Sequence, residues 1–411
     1  MTEQTNYVQP VAREGLHQTE FIALVAMLFA TIAFSIDSML PALPSIAAEL
    51  SPTNPNAAQL VITSFVFGMG IGTFFAGPIS DAYGRKAVIL GGSALYCLGA
   101  IAAWAAPSLE LVLAARVLQG LGAAAPRIVS LAMVRDKYSG RAMAQIISFA
   151  MIVFMLVPAL APAMGMGIIH LVGWRGLFLA FLLFAVVANL WLGLRQPETL
   201  PPERRRPLHF GTLASAFVEV FSHRTVQIAT GVMALCFGML FGTISSIQPI
   251  FEQSFDKGDT FPLWFALIAL FSALSSFTNA SLVMRLGMRL LITTALTAIL
   301  VLSAVMVGLT FSGLLPHAWY FTAFVIWMVG MFFMMGMVMG NLNALAMEPV
   351  GHIAGMAASA TGAISTVLGV ALAAPLGLAF DGTPLPLLLG ILVLAVVGRA
   401  LMAVMPHRVA T

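Results

Sequence analysis

Charge is what this sequence has least of. Asp, Glu, Lys and Arg make up 9% of its 411 residues, against about 25% in an ordinary soluble domain. So few solvated side chains cannot cover a water-facing surface, which excludes a soluble globular protein. Cysteine is nearly absent: Cys97 and Cys236 both fall within apolar stretches, where a thiol packs as a small hydrophobe, and a disulfide framework is excluded. The seven histidines (His17, His170, His209, His223, His317, His352, His407) share no ligand spacing, and neither HExxH nor GxSxG occurs. A polytopic membrane enzyme therefore finds no support, and no cofactor or metal is expected. A non-transporting sensor would carry an additional soluble domain, of which the sequence shows none. Alternation over about ten residues, the mark of a barrel strand, is missing as well. The formal net charge of +3 says little by itself, and no nucleic-acid partner is expected.

Long apolar runs are what the chain has instead. Hydrophobic residues make up 60% of it, gathered in twelve runs near residues 20–44, 56–80, 87–106, 108–134, 142–172, 174–194, 225–249, 261–284, 288–311, 318–347, 353–380 and 385–405. Each is long enough to cross a hydrocarbon core of about 30 Å as a helix, and a helix satisfies its own backbone there. The expectation is an all-α membrane protein with twelve transmembrane helices. Of 19 Lys and Arg, fifteen fall in one set of loops, Arg175 and Lys257 alone in the opposite set, and Arg116 and Arg127 inside a run. The positive-inside rule then puts both termini in the cytoplasm. The first run is too long, and too closely followed by others, to be a cleaved signal peptide.

The interval "RQPETLPPERRRPLHFGT" divides the chain almost in half. Its prolines and clustered arginines cannot span a bilayer. We expect residues 1–195 to form one six-helix half, 196–224 a cytoplasmic linker, and 225–411 the other half. Pro41 is echoed by Pro249, Gly84 with its basic neighbours by Gly287 with Arg289, and Pro162 with Gly165 by Pro375 with Gly377, all at offsets near two hundred residues. That common offset points to two pseudo-symmetric halves.

"GPISDAYGRK" at residues 77–86 resembles the loop signature between the second and third helices of the major facilitator superfamily, with Ala82 where a basic residue usually stands. "RVLQGLGAA" at 116–124 resembles its fourth-helix signature, and "VPALAPAMG" at 157–165 resembles the fifth-helix signature of its antiporters, with the usual glycines thinned. "IDSMLPALPSIAAEL" at 36–50 is similar to the Bcr/CflA group of bacterial drug:proton antiporters. The resemblance implies a twelve-helix carrier of the bacterial cytoplasmic membrane, working as a monomer in lipid, whose partners are small molecules and protons. It also implies that Gly77, Asp81, Gly84, Arg85 and Lys86 form a latch between halves, and that Pro158, Pro162 and Gly165 shape a bent, closely packed antiporter helix. Setting topology is the simpler role for Arg85 and Lys86 and is compatible with the latch.

Two arginines in an apolar run need a reason, since a charge at the centre of a spanning helix costs roughly 2.5–3.5 kcal/mol even on insertion scales. Arg116 lies about 12 Å into its helix at roughly 1.5 Å per residue, close in depth to Asp37 near the outer end of the first run. If both border a central cavity, guanidinium and carboxylate can compensate each other, as a coupling pair or a purely structural one. Burial favours a neutral carboxyl group and a neighbouring guanidinium an ionised one, so Asp37 is the candidate proton carrier and Arg116 its partner. Arg127, eleven residues on, returns to nearly the same face three turns later. With Gln119 it would make a polar stripe for substrate, unless it snorkels to the cytoplasmic surface. The proline register matches Asp37 to Ser245, so proton chemistry is expected in the first half alone. In the second half Gln248, Asn279, Asn341 and Asn343 are binding candidates or interhelical hydrogen-bonding groups. Met331 and Met335, in "MVGMFFMMGMVMG", suit a wall that repacks around dissimilar ligands, or else fill space against lipid. The function expected is proton-driven export of amphipathic small molecules; the alternative is an organic-anion or metabolite carrier, by antiport or symport, in which Arg116 and Arg127 bind the anion.

Overall fold

A computed structural model describes residues 16–208 and 210–406; Arg13, His209, His407 and Arg408 lie outside them. Every regular element among the described residues is helical. The first six spans are α1 (Gln18–Asp37) continued by the short α2 (Leu43–Leu50), α3 (Leu60–Tyr83), α4 (Arg85–Ala105), α5 (Leu109–Lys137), α6 (Gly140–Val172) and α7 (Gly176–Arg195). The linker contains α8 (Phe210–Ser222), and the last six spans are α9 (Arg224–Pro249), α10 (Phe261–Leu286), α11 (Met288–Ser312), α12 (His317–Met347), α13 (Ala354–Leu378) and α14 (Leu385–Ala403). The apolar stretch His317–Leu378 is continuous over 62 residues, about 93 Å of helix at 1.5 Å per residue and three times the hydrocarbon core. A 3₁₀ segment, Glu348–Ile353, with Val350 at φ −127°, folds it into two spans. Twelve spans result.

One element differs from the sequence reading. The run at 20–44 is not one helix: α1 stops at Asp37 and α2 starts at Leu43. Pro41 has no N–H to offer the carbonyl four residues back, that of Asp37, so the ladder cannot continue. The linker holds a helix of its own. In α8, Phe217 packs edge-on against Phe74 and beside Phe221, Val220 is buried, and Glu219 meets His352 at 2.7 Å. An apolar face on a short helix thus pulls part of the linker onto the spans, against α9 and α13.

α5 lies between α3 and α4 with backbones in direct contact. A Cβ on Gly68 would collide with the carbonyl of Val117, one on Gly120 with that of Phe65, and one on Gly99 would sit 2.6 Å from the Gln119 nitrogen. Small residues are the usual means of bringing membrane helices this close, because lipid offers no hydrophobic drive to hold them. Leu171, Leu194, Phe277 and Met284 project from the perimeter at 76–89% exposure, as befits a face solvated by acyl chains. The first six spans meet the last six where α3 crosses α13 and where α6 crosses α10. The end of the bundle that carries the linker is called the linker end below, and the opposite one the far end.

Candidate transport site

Asp37 is the last residue of α1 and is 5% exposed. Its position follows from the helix break: Ser38 N–H bonds to the Phe34 carbonyl, Met39 N–H turns to Ile36, and Pro41 opens the 3₁₀ turn. Gly165 of α6 lies against this break, where any side chain would run into the Ser38 carbonyl. The fifth-helix motif therefore has a local purpose here: its glycine lets α6 seat on the end of α1. Pro162 is buried beside it and Pro158 half-buried, both within a continuous α6.

Arg116 does not pair with Asp37. Its Nε donates to the Val61 carbonyl at 3.1 Å, Nη1 to Gln119 Oε1 at 2.7 Å, and Nη2 to the Ser35 carbonyl at 3.0 Å, while its Cζ lies 4.3 Å from the Phe65 ring centroid. Met39 N–H has gone to Ile36, so the Ser35 carbonyl lacks its helix donor, and a cation at the negative end of α1 is doubly suited to replace it. The Ser35 hydroxyl in turn meets Tyr96 Oη at 2.5 Å and donates to the Thr31 carbonyl. Arg116 and Gln119 are both fully buried. The expected ion pair and the expected water-facing stripe through Arg116 and Gln119 are therefore corrected. The guanidinium sews α1, α3 and α5 together, and the Asp37 carboxylate is left buried with no hydrogen bond or ion pair reaching it among the described residues.

Arg127 is half-buried, one residue after Pro126, and its guanidinium bonds to nothing among the described residues. In the second half, Asn341 Nδ2 donates to Asn279 Oδ1 at 2.7 Å and to the Met337 carbonyl, an interhelical bond between α12 and α10. Asn343 only back-bonds to Met339. Met331 and Met335 are buried in the same apolar core. Gln248, at 3% exposure, keeps an unpartnered Oε1, and Ser245 back-bonds to Gly242.

The loop at 77–86 is built differently from the expected latch. Arg85 Nη1 reaches Asp81 at 2.5 Å and the Ser80 hydroxyl at 2.7 Å, its Nε reaches Asp136 at 3.0 Å, and Lys86 Nζ donates to the Gly193 carbonyl at 2.7 Å. These partners all belong to the first six spans, so the two cations fasten α3, α4, α5 and α7 to one another. Gly77, packed on Ser359 of α13, and Pro78, which shares a small cavity with Met356 and Ser359, are residues of the motif that face the other half. Sequence reading missed Glu198. Its carboxylate accepts from the N–H groups of Arg85, Lys86, Thr199 and Leu200 at 2.9–3.1 Å, an anionic cap on α4 supplied by the linker. Gly84 makes room for it: φ is +100°, and a Cβ would lie 2.5 Å from Glu198 Oε2. An acid three residues after a span, at the start of a linker otherwise rich in arginine, was the available signal. Removing the carboxylate in Glu198→Ala orphans two α4 donors and is expected to cost about 1–2 kcal/mol, read as a lower thermal midpoint of the detergent-purified protein; Glu198→Gln is expected to lose less.

Twelve spans in two sets of six, with a buried acid at a broken helix end, define a polytopic carrier. The chain belongs to the Major Facilitator Superfamily, whose profile matches residues 23–375. An uncharacterized MFS-type transporter of Bacillus subtilis (strain 168) is 28% identical over 401 residues, covering 95% of both chains. A bicyclomycin resistance protein homolog of Haemophilus influenzae is 29% identical over 353 residues, covering 85% of this chain and 86% of that one. Among solved structures, the E. coli xylose transporter in a partially occluded inward-open conformation superposes with a TM-score of 0.73 at 11% identity, over 95% of this chain and 98% of that chain.

Proposed function

We propose that the protein is a proton-coupled exporter of amphipathic small molecules, set in the cytoplasmic membrane with its linker end inward. The observation that carries this reading is Asp37: a carboxyl group buried at the broken end of α1, without a counter-cation among the described residues. Intramembrane acids are expensive and mark ion pathways. Resistance to a drug is the property named for the Haemophilus relative, and the described Lys and Arg of the loops, gathered on the linker side apart from Arg175 and Lys257, agree with the orientation. In the proposed cycle Asp37 gains a proton when the far end opens, crosses the occluded state as a neutral acid, and releases the proton inward in competition with substrate. Arg127 and Gln248, each with a polar group left unpaired, are the proposed substrate contacts. Asn341, Met331 and Met335 support the wall from behind.

A second reading, an organic-anion carrier, rests on the uncompensated guanidinium of Arg127; Arg116 drops out of it because its donors are already engaged. Purified protein in liposomes with an internal pH dye separates the two. Export of cationic or neutral amphiphiles is expected to move protons and to persist in Arg127→Ala at rates lowered roughly tenfold, since one hydrogen bond from a charged donor is worth about 1.5 kcal/mol. A response confined to organic anions and lost in Arg127→Ala would establish the second reading instead.

A further inference from the structure

The two six-span sets are fastened to each other unequally at their two ends. At the far end, Asn56 Nδ2 donates to the carbonyls of Leu378 and Phe380, at 3.1 and 2.7 Å. These acceptors sit at the end of α13, where a helix has no intrahelical donors left to give them. One side-chain amide from the lead-in to α3 thus caps a helix of the opposite half with both its hydrogens. One turn further in, the buried Gln59 accepts from the Ser246 hydroxyl of α9 at 3.3 Å, and Gly377 of α13 closes against its side chain. At the linker end the same pair, α3 and α13, meets through Gly77 against Ser359, and Phe74 of α3 meets the ring of Phe217 in α8 at 6.0 Å. Those contacts are van der Waals and can slide, and the Glu219–His352 pair ties the linker helix to the half it precedes and not one half to the other; the far-end bonds are directional and must break.

We infer that Asn56, backed by Gln59, is the clasp that holds the far end shut and that its release sets how often the carrier opens outward. The residue is a positioning residue: it touches main chain of the other half and not the proposed cargo. This rests on the alternating-access reading above, but the test needs no substrate, so the two can fail separately.

The experiment places spin labels at exposed Thr53 and Thr383 for the far end, and at exposed Tyr83 and Arg285 for the linker end, in full-length protein carrying Cys97→Ala and Cys236→Ala, reconstituted in lipid nanodiscs. Distance distributions by double electron–electron resonance are then compared. In Asn56→Leu, loss of both bonds is expected to raise the ratio of long to short far-end distances roughly tenfold, with a matching shortening at the linker end. Asn56→Asp sets a carboxylate against two carbonyls and is expected to open the far end further at pH 8. Near pH 4, around the ordinary aspartic pKa, the regained O–H donor recloses it. Unchanged distances in both variants would overturn the clasp. So would far-end lengthening without the reciprocal shortening, which is fraying, or an opening in Asn56→Asp that ignores pH.

Discussion

Asp37→Asn is expected to abolish uphill export while leaving a folded protein that still equilibrates its substrate. One proton entering supplies roughly 2.3 kcal/mol per 100 mV and about 1.4 kcal/mol per pH unit. At 100 mV and one unit these sum to a concentration ratio of roughly five-hundredfold. A side chain that cannot titrate transmits none of it, so the ratio held by the variant is expected to fall to about one. The amide is nearly isosteric with the neutral acid and meets no broken ion pair, since no cation among the described residues bonds to Asp37 in the wild type. The thermal midpoint should therefore hold or rise slightly. The measurement is accumulation of a fluorescent amphiphile in inside-out vesicles under an imposed pH gradient. Full accumulation by Asp37→Asn would remove Asp37 from the coupling step.

Arg116→Ala is expected to fail in a different way, through stability. The substitution removes three hydrogen bonds from a charged donor, each worth about 1.5–3 kcal/mol, and strands the Ser35 carbonyl at the end of α1. Relief from burying a cation that has no carboxylate partner offsets part of this. A net loss of about 3 kcal/mol remains, enough to lower the midpoint of the purified protein by many degrees and its yield in the membrane. Arg116→Lys recovers little of it, because an ammonium on a flexible stem cannot fork across α1, α3 and α5 at once. The protein that does fold should still couple substrate to protons through Asp37. An unchanged midpoint with lost coupling would restore the ion pair that the sequence suggested.

Those opposite outcomes show what sequence could and could not carry. Twelve spans and the linker were legible because apolar length and loop charge are properties of stretches. That Asp37 and Arg116 lie within spans was legible for the same reason. Their partners were not: Arg116 bonds to main-chain carbonyls of Val61 and Ser35, and every residue has a carbonyl, so no letter in the sequence marks the chosen ones. The nearest opposite charge was the natural expectation, and it was wrong because helix geometry at the α1 break offered an orphan acceptor closer by. Glu198 escaped notice for a related reason, since its four partners are all backbone N–H groups. The break itself was readable from Pro41 in hindsight. What concealed it was the apolar run continuing unbroken past Asp37 into α2.

The glycines that bring α3, α4 and α5 into backbone contact have a mechanical consequence. With main chain against main chain, no layer of long side chains is left between these helices to absorb a shift by changing rotamers. The three behave as a slab, stiff in the direction that joins them, and Arg116 bolts the end of α1 to its face. An event at Asp37 is then delivered to the whole slab and not dissipated locally. A leucine at Gly68 or Gly120 would do more than crowd a seam: it would soften the member through which, in the proposed cycle, the proton's energy is passed on.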